Sequence, residues 1–215
     1  MNVLATMPTE IKELSETLAP LQARERVECA YQEFGKDLIL ATSFGPKAGV
    51  MIKLATSVYP EIRVITIRHG YESSRTRESA ERMQERFNLD LHVYEAPQLL
   101  IPDEGTPEFD DFRYKVKIEP FQKALAKERP RAWLAGVMRD ETEQRKSFDF
   151  AMYRDGLVVV YPILDWDEAD AEEYSLAHRL FSYEGYYDPT KGFDQKKECG
   201  LHLGQLGTSW TSSSL

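Results

Sequence analysis

The chain has 215 residues, 42 % hydrophobic and 29 % charged, values that fit one globular domain with a sizeable core and argue against extensive disorder. A formal net charge of −9 disfavours duplex nucleic acid or an anionic membrane as the main partner, although a local basic pocket can still hold an anion. No apolar run approaches the ~20 residues of a bilayer span, and residues 1–8 lack the basic start and apolar stretch of a secretory signal. Two cysteines, Cys29 and Cys199, are too few for a disulfide framework or a four-cysteine metal site. A reducing cytoplasm is the expected compartment.

In residues 9–34, Ile11, Leu14, Leu18, Leu21 and Val27 recur at roughly helical spacing, which predicts a helix ending near Gly35. Residues 37–42 are a short apolar run bounded by turn residues and read as a buried strand. Pro46 stands where a helix can begin, with Val50, Met51, Leu54 and Val58 as its apolar stripe. A second strand falls at 63–67, a charged helix at 76–87 and a third strand at 91–94. Residues 98–112, with Pro102, Gly105 and Pro107, read as a long loop, a candidate lid or partner contact. A helix over 121–127, a fourth strand over 131–136, a fifth over 157–161 and a helix over 168–180 follow. This alternation predicts an α/β fold, a mostly parallel twisted sheet with helices on both faces. Residues 1–187 form that domain; residues 188–215, with few apolar anchors, are expected to form a mobile tail. Ligands of such sheets sit at the carboxyl ends of the strands, where strand order switches.

Three strand ends carry candidate site residues. Ser43, Phe44, Gly45 and Lys47 join the first strand to a helix, and such a junction can bind phosphate or sulfate through backbone N–H groups, a hydroxyl and a charge. The same residues also suit an ordinary strand-to-helix turn, and they lack the glycine–lysine–hydroxyl ending of a Walker loop. After the second strand, Gly70 permits close backbone approach and Tyr71 can stack on a nucleotide or lie buried under a turn. After the fourth, Arg139 and Arg145 offer forked donors to an anion, in a loop whose charges also suit plain solvation. His69, a lone histidine, reads as structural. In the tail, Cys199 stands among Lys196, Lys197 and His202, and nearby positive charge favours the reactive thiolate over the thiol, although the same residues also suit an exposed or half-buried cysteine with no role. Cys29 reads as a small buried hydrophobe.

These residues resemble the phosphoadenylyl-sulfate (PAPS) reductases, cluster-free members of the adenine-nucleotide hydrolase superfamily. Ser43, Phe44 and Gly45 answer the family's S-F-G loop, and Gly70 and Tyr71 its D-T-G-Y turn. Gly136, Arg139 and Arg145 answer G-x-R-R-x-Q-x-x-x-R; Pro162, Ile163, Asp165 and Trp166 its D-W segment; Glu198 to His202 its E-C-G-L-H tail. The resemblance spans about residues 28–202. It implies an adenine-nucleotide hydrolase-like fold and reduction of PAPS to sulfite and adenosine 3′,5′-bisphosphate, in sulfate assimilation. Cys199 would be the nucleophile, passing through an S-sulfocysteine. Ser43, Phe44, Gly45, Lys47, Gly70, Tyr71, Arg139, Arg145 and His202 would hold the substrate. No bound cofactor is implied, and thioredoxin or glutaredoxin would be the reductant. Homodimers are common in the family, although no dimer surface is legible in this chain. Too few cysteines for an iron–sulfur cluster favour PAPS over adenylyl sulfate. The alternatives are a cluster-free adenylyl-sulfate reductase and a divergent nucleotide-binding member without reductase activity.

The chain departs from the family at three places. Arg68 and His69 replace Asp-Thr before Gly70 and Tyr71, Met138 replaces the first arginine of the pair, and the interval before the tail is reduced to residues 185–192.

Overall fold

The computed structural model describes residues 3–154, 156–182, 185–193 and 195. The helix expected over 9–34 is two helices, α1 (Val3–Leu18) and α2 (Ala23–Phe34). Pro20 separates them: it has no N–H to donate and disfavours helical backbone at Ala19. The new helix starts with the Gln22 N–H donating to the Glu25 carboxylate at 2.7 Å.

Strand β1 (Leu38–Ala41) follows, then α3 (Ala48–Val58), β2 (Arg63–Arg68), α4 (Ser74–Phe87) and β3 (Asp90–Glu95). Helix α3 begins two residues after Pro46. Thr106 caps a helix inside the expected long loop, α5 (Pro107–Arg113), accepting from the Phe109 N–H. A π-helical turn (Tyr114–Ile118) joins α5 to α6 (Glu119–Glu128), and the Glu119 N–H donates to the Tyr114 carbonyl, five residues back. Then come β4 (Ala132–Leu134), β5 (Ala151–Arg154), β6 (Leu157–Val160), α7 (Glu168–Ala177) and, last among the described residues, a short 3-10 turn (Pro189–Lys191).

The six strands lie in the order β3-β2-β1-β4-β6-β5, parallel except for β5, which pairs antiparallel with β6. Gly156, just before β6, has φ +89°, the left-handed conformation that tight hairpin turns favour. Because the chain steps outward from β1 to β3, right-handed crossovers place α3 and α4 on one face. The return to β4, beyond β1, puts α6 on the other. Both faces of the centre are therefore covered, and β1 is apolar throughout: Leu38, Ile39 and Leu40 are fully buried, with Val64, Leu134, Val159 and Val160 beside them. Each such side chain contributes about 1.5–3 kcal/mol of transfer free energy.

The segment matching the D-W motif is part of this frame. Asp165 pairs with the buried Arg26 of α2 at 2.5 and 2.8 Å, Arg26 also donates to the Pro162 carbonyl, and its guanidinium lies 4.0 Å from the Phe150 ring centroid.

At the amino-terminal edge of the sheet, Glu128 collects three donors. Arg63 reaches it at 2.9 Å and His92 Nδ1 at 2.6 Å, and the Tyr94 hydroxyl donates to it as well. Burial would raise the Glu128 carboxyl, but these bonds outweigh it and lower its pKa. Burial and the bond to Glu128 push the Tyr94 phenol up to about 12. Arg63 also donates to the Glu128 and Lys36 carbonyls, at 2.9 Å each.

Candidate active site

Strand order reverses between β1 and β4, and a cleft of about 360 Å³ opens there at the carboxyl ends of the strands. Residues following β1 (Thr42, Ser43, Gly45), the end of β2 (Thr66, Ile67, His69) and residues following β4 (Ala135, Gly136) line it. Met51, Phe121, Trp133 and Tyr186 supply apolar surface. Gly136 is held to glycine by packing, since a Cβ there would stand 2.6 Å from Met51 Cγ. A broader concavity of about 840 Å³ lies at the opposite edge, around Lys36, Arg63, Asp90 and Glu128, where the paired charges described above occupy the wall.

The lining of the cleft is cationic in an acidic chain: Lys47, Lys117, Arg145 and Lys191 face it against the carboxylates Glu141 and Asp188. Glu141 holds two of the cations in place. It accepts from Lys47 at 3.3 Å, from the Arg145 guanidinium, and from the Met138 N–H at 3.2 Å. Lys47 also meets Glu168 at 2.6 Å. Low-dielectric walls strengthen such charges toward an entering anion.

Of the residues singled out from the sequence, Ser43, Gly45, Lys47 and Arg145 line the cleft. Phe44 is buried in the core at φ +51°, its N–H donating to Thr42 Oγ1 at 3.1 Å, so it shapes the loop from behind. Gly70 and Tyr71 are not in the lining. Gly70 has φ +80° and packs against Gln98, while the Tyr71 hydroxyl accepts from the Leu99 N–H at 2.8 Å and its ring meets Phe112 edge-on at 5.9 Å. They brace the loop after β3.

Arg139 is also turned away from the cleft. It donates to the Phe148 carbonyl at 3.2 and 3.3 Å and lies 5.3 Å from the Phe150 ring centroid. Cys199 and His202 lie outside the described residues. Cys29 is half-buried against the core, and burial raises its pKa.

The sequence reading passed over a second group of charges. His69 is 6 % exposed and lines the cleft. Its Nδ1 accepts from the Tyr71 N–H at 3.2 Å, which leaves the ring proton on Nε2, and Glu72 accepts from the His69 backbone N–H at 2.8 Å. Burial lowers the His69 pKa despite the carboxylates of Glu72 and Asp188, so the ring is neutral at neutral pH. Beside it, Lys117 of the π-helical turn pairs with Asp188. Lys117 gave no periodic signal, but Asp188, Pro189 and Thr190 carry the sequence mark of a capped turn: a carboxylate, a proline at the first position and a backbone donor two residues on.

Fold and cleft together define a class: an α/β domain with a cation-lined cleft at the switch point of a parallel sheet. Residues 37–189 match the phosphoadenosine phosphosulfate reductase domain, and the chain belongs to that family. The phosphoadenosine 5′-phosphosulfate reductase of Synechococcus sp. is 32 % identical, across 93 % of this chain and 99 % of the relative. That of Synechocystis sp. is also 32 % identical, across 99 % and 96 %. Among solved structures, the phosphate complex of phosphoadenylyl-sulfate reductase from Candida auris superposes with a TM-score of 0.70 at 20 % identity, covering 83 % of this chain and 93 % of that one. FMN adenylyltransferase of Candida glabrata shares the fold at a TM-score of 0.54 and 14 % identity, covering 78 % and 57 %. Among the described residues, no helix is long and apolar enough to cross a membrane.

Proposed function

We propose that this protein reduces 3′-phosphoadenylyl sulfate to sulfite and adenosine 3′,5′-bisphosphate, with Cys199 as nucleophile. The observation that carries the reading is the cation-lined cleft at the switch point, in a chain that belongs to the PAPS reductase family and retains Glu198, Cys199, Gly200, Leu201 and His202. Ser43, Gly45, Lys47 and Arg145 bind the anion directly, and Phe44, Gly70 and Tyr71 shape the loops around it. Arg139 acts through the frame. His202 accompanies Cys199 at the sulfate.

The chemistry needs anion stabilisation more than acid or base catalysis. The Cys199 thiolate attacks the sulfate sulfur, and the sulfur–oxygen bond to the phosphate breaks. The leaving group departs as a phosphate already charged at neutral pH, and Lys47 and Arg145 offset the charge that accumulates on it. A dithiol reductant of the thioredoxin or glutaredoxin type then attacks Sγ of the S-sulfocysteine and expels sulfite. Its second thiol resolves the mixed disulfide, so the reductant supplies both electrons and Cys199 is regenerated.

The test is sulfite release from PAPS with thioredoxin and its reductase. Cys199→Ser should release none while still binding adenosine 3′,5′-bisphosphate, and a mass increment of one sulfonate on Cys199 should accumulate when the reductant is withheld. Undiminished turnover in Cys199→Ser would remove the mechanism. Turnover of adenylyl sulfate in preference to PAPS would leave the mechanism standing and reassign the substrate.

A further inference from the structure

We propose that Asp188 is a positioning residue: through its buried ion pair with Lys117 it fixes the segment leading to Cys199 against the cleft, so that this segment and the bound anion share one cation. The inference rests on the reading of Cys199 as the nucleophile.

Asp188 is 1 % exposed and Thr190 fully buried. The carboxylate accepts from Lys117, from the Thr190 N–H at 3.0 Å and from Thr190 Oγ1 at 2.5 Å. Burial alone would raise its pKa, but the Lys117 charge and the bonds from Lys117 and Thr190 hold it at about 2. Around it the chain closes on itself. The Asp188 N–H donates to Gln195 Oε1 at 2.9 Å, Gln195 Nε2 donates to the carbonyls of Asp188 and Gly192, and Lys191 Nζ reaches the Gln195 carbonyl at 2.9 Å. The Phe193 N–H donates to Glu104 at 2.9 Å, a second tie to the body of the fold.

Lys117 belongs to both systems, because it lines the cleft and holds Asp188. An ammonium group has three donors, so it can serve an incoming anion and Asp188 together. Removing either charge would break a buried ion pair, which is costly. Cys199 stands four positions after Gln195, and an extended chain over that interval spans at most about 14 Å. Gln195 is bonded to Asp188 and Lys191, which line the cleft, so the clasp keeps Cys199 within that reach of a residue tied to the cleft wall.

Asp188→Asn keeps the shape and removes the charge. In the coupled assay its kcat should fall about ten- to hundredfold, the scale of a misplaced reacting group. Calorimetric affinity for adenosine 3′,5′-bisphosphate should stay within about threefold of wild type or tighten, since Lys117 loses a competing carboxylate. Alkylation of Cys199 by iodoacetamide, followed by mass spectrometry, should change with added bisphosphate in the wild type and lose that response in the variant. Thr190→Val, which keeps both charges, should move all three readouts the same way by a smaller factor, and it carries the test if Asp188→Asn does not fold. Unchanged kcat with an unchanged alkylation response would overturn the proposal, and so would affinity falling in step with kcat, which would make Asp188 a scaffold of the cleft. Cys199→Ser in the same assay separates the two readings. If it turns over, the nucleophile is misassigned whatever Asp188 does; if it is dead while Asp188→Asn keeps full activity, only the positioning role fails.

Discussion

The two ends of the sheet carry similar chemistry arranged to opposite effect. At the amino-terminal edge, one buried carboxylate, Glu128 at the end of α6, gathers Arg63 from β2 and His92 and Tyr94 from β3. Arg63 and Glu128, paired with each other, form part of the wall of the concavity beside it. At the carboxyl-terminal edge, Glu141 and Asp188 likewise hold cations, but Lys47, Arg145 and Lys117 also face an open cleft. The contrast teaches that a buried ion pair is not in itself a sign of function. Cations border a concavity at both ends; what distinguishes the carboxyl end is that its cleft opens at the switch point of the sheet's connectivity.

Substitutions at matched positions can break or sharpen this contrast. The largest effect is expected from Lys47→Ala combined with Arg145→Ala. Each lost charged contact costs about 1.5–3 kcal/mol, so affinity for adenosine 3′,5′-bisphosphate should fall about ten- to hundredfold per residue by calorimetry. Arg139→Ala should leave that affinity unchanged, because its side chain serves Phe148 and Phe150; a loss as large as that of Arg145→Ala would return Arg139 to the site. At the other end, Glu128→Gln should lower unfolding free energy by about 2–3 kcal/mol, through loss of the charged partner of Arg63, with bisphosphate affinity untouched. Weakened binding in that variant would erase the distinction between the two ends.

The smallest effect concerns pH. The folded-state pKa of His69 is lowered below 6.5, mainly by burial, so on acidification the unfolded chain takes up its proton first. The stability contributed by the neutral buried ring is therefore present above the unfolded value and is lost as pH falls below it. Urea unfolding of the wild type at pH 7.5 and 5.5 should show this loss, and His69→Gln should show less of it. Asp188, held at about 2, acts in the same direction at lower pH, its contribution of about 2 kcal/mol vanishing between roughly pH 5 and pH 2. An equal pH 7.5-to-5.5 difference in both proteins would assign the acid sensitivity to groups other than His69.

The strands of the buried centre were legible because β1, β2, β4 and β6 are apolar runs bounded by turn residues, and their alternation with helices fixes a parallel sheet. Strand β5 escaped because Ala151, Met152, Tyr153 and Arg154 follow a charge-rich stretch, although Asp155 and Gly156 are a hairpin signal. Pro20 likewise marked a helix break that the apolar spacing across it concealed. In the site, chain order told which strand end each residue follows but not where its side chain points. Arg139 turns toward a carbonyl nine residues on, a partner that no local pattern encodes. Lys117 and Asp188 are 71 residues apart and meet only because the fold brings the π-helical turn to the base of the last segment. His69 was read as structural, which its burial suits, yet it also forms part of the cleft wall.

The turn that presents Lys117 has a further consequence, for tolerance to length variation. A π-helical turn holds one more residue than the α-helical turn it replaces, so the run through α5 and α6 contains a locally absorbed extra residue. Deleting one residue from Tyr114–Ile118 would let the two helices merge into one regular α-helix at little local cost. The flanking helices would keep their phase, because the turn absorbs its extra residue within itself, and only residues inside the turn would change bearing. Phe109 and Phe112 would stay in their small core, while Lys117, inside the turn, would lose its bearing on the cleft. A shortening that is harmless by helix propensity would thus be selected against through a single lysine's bearing.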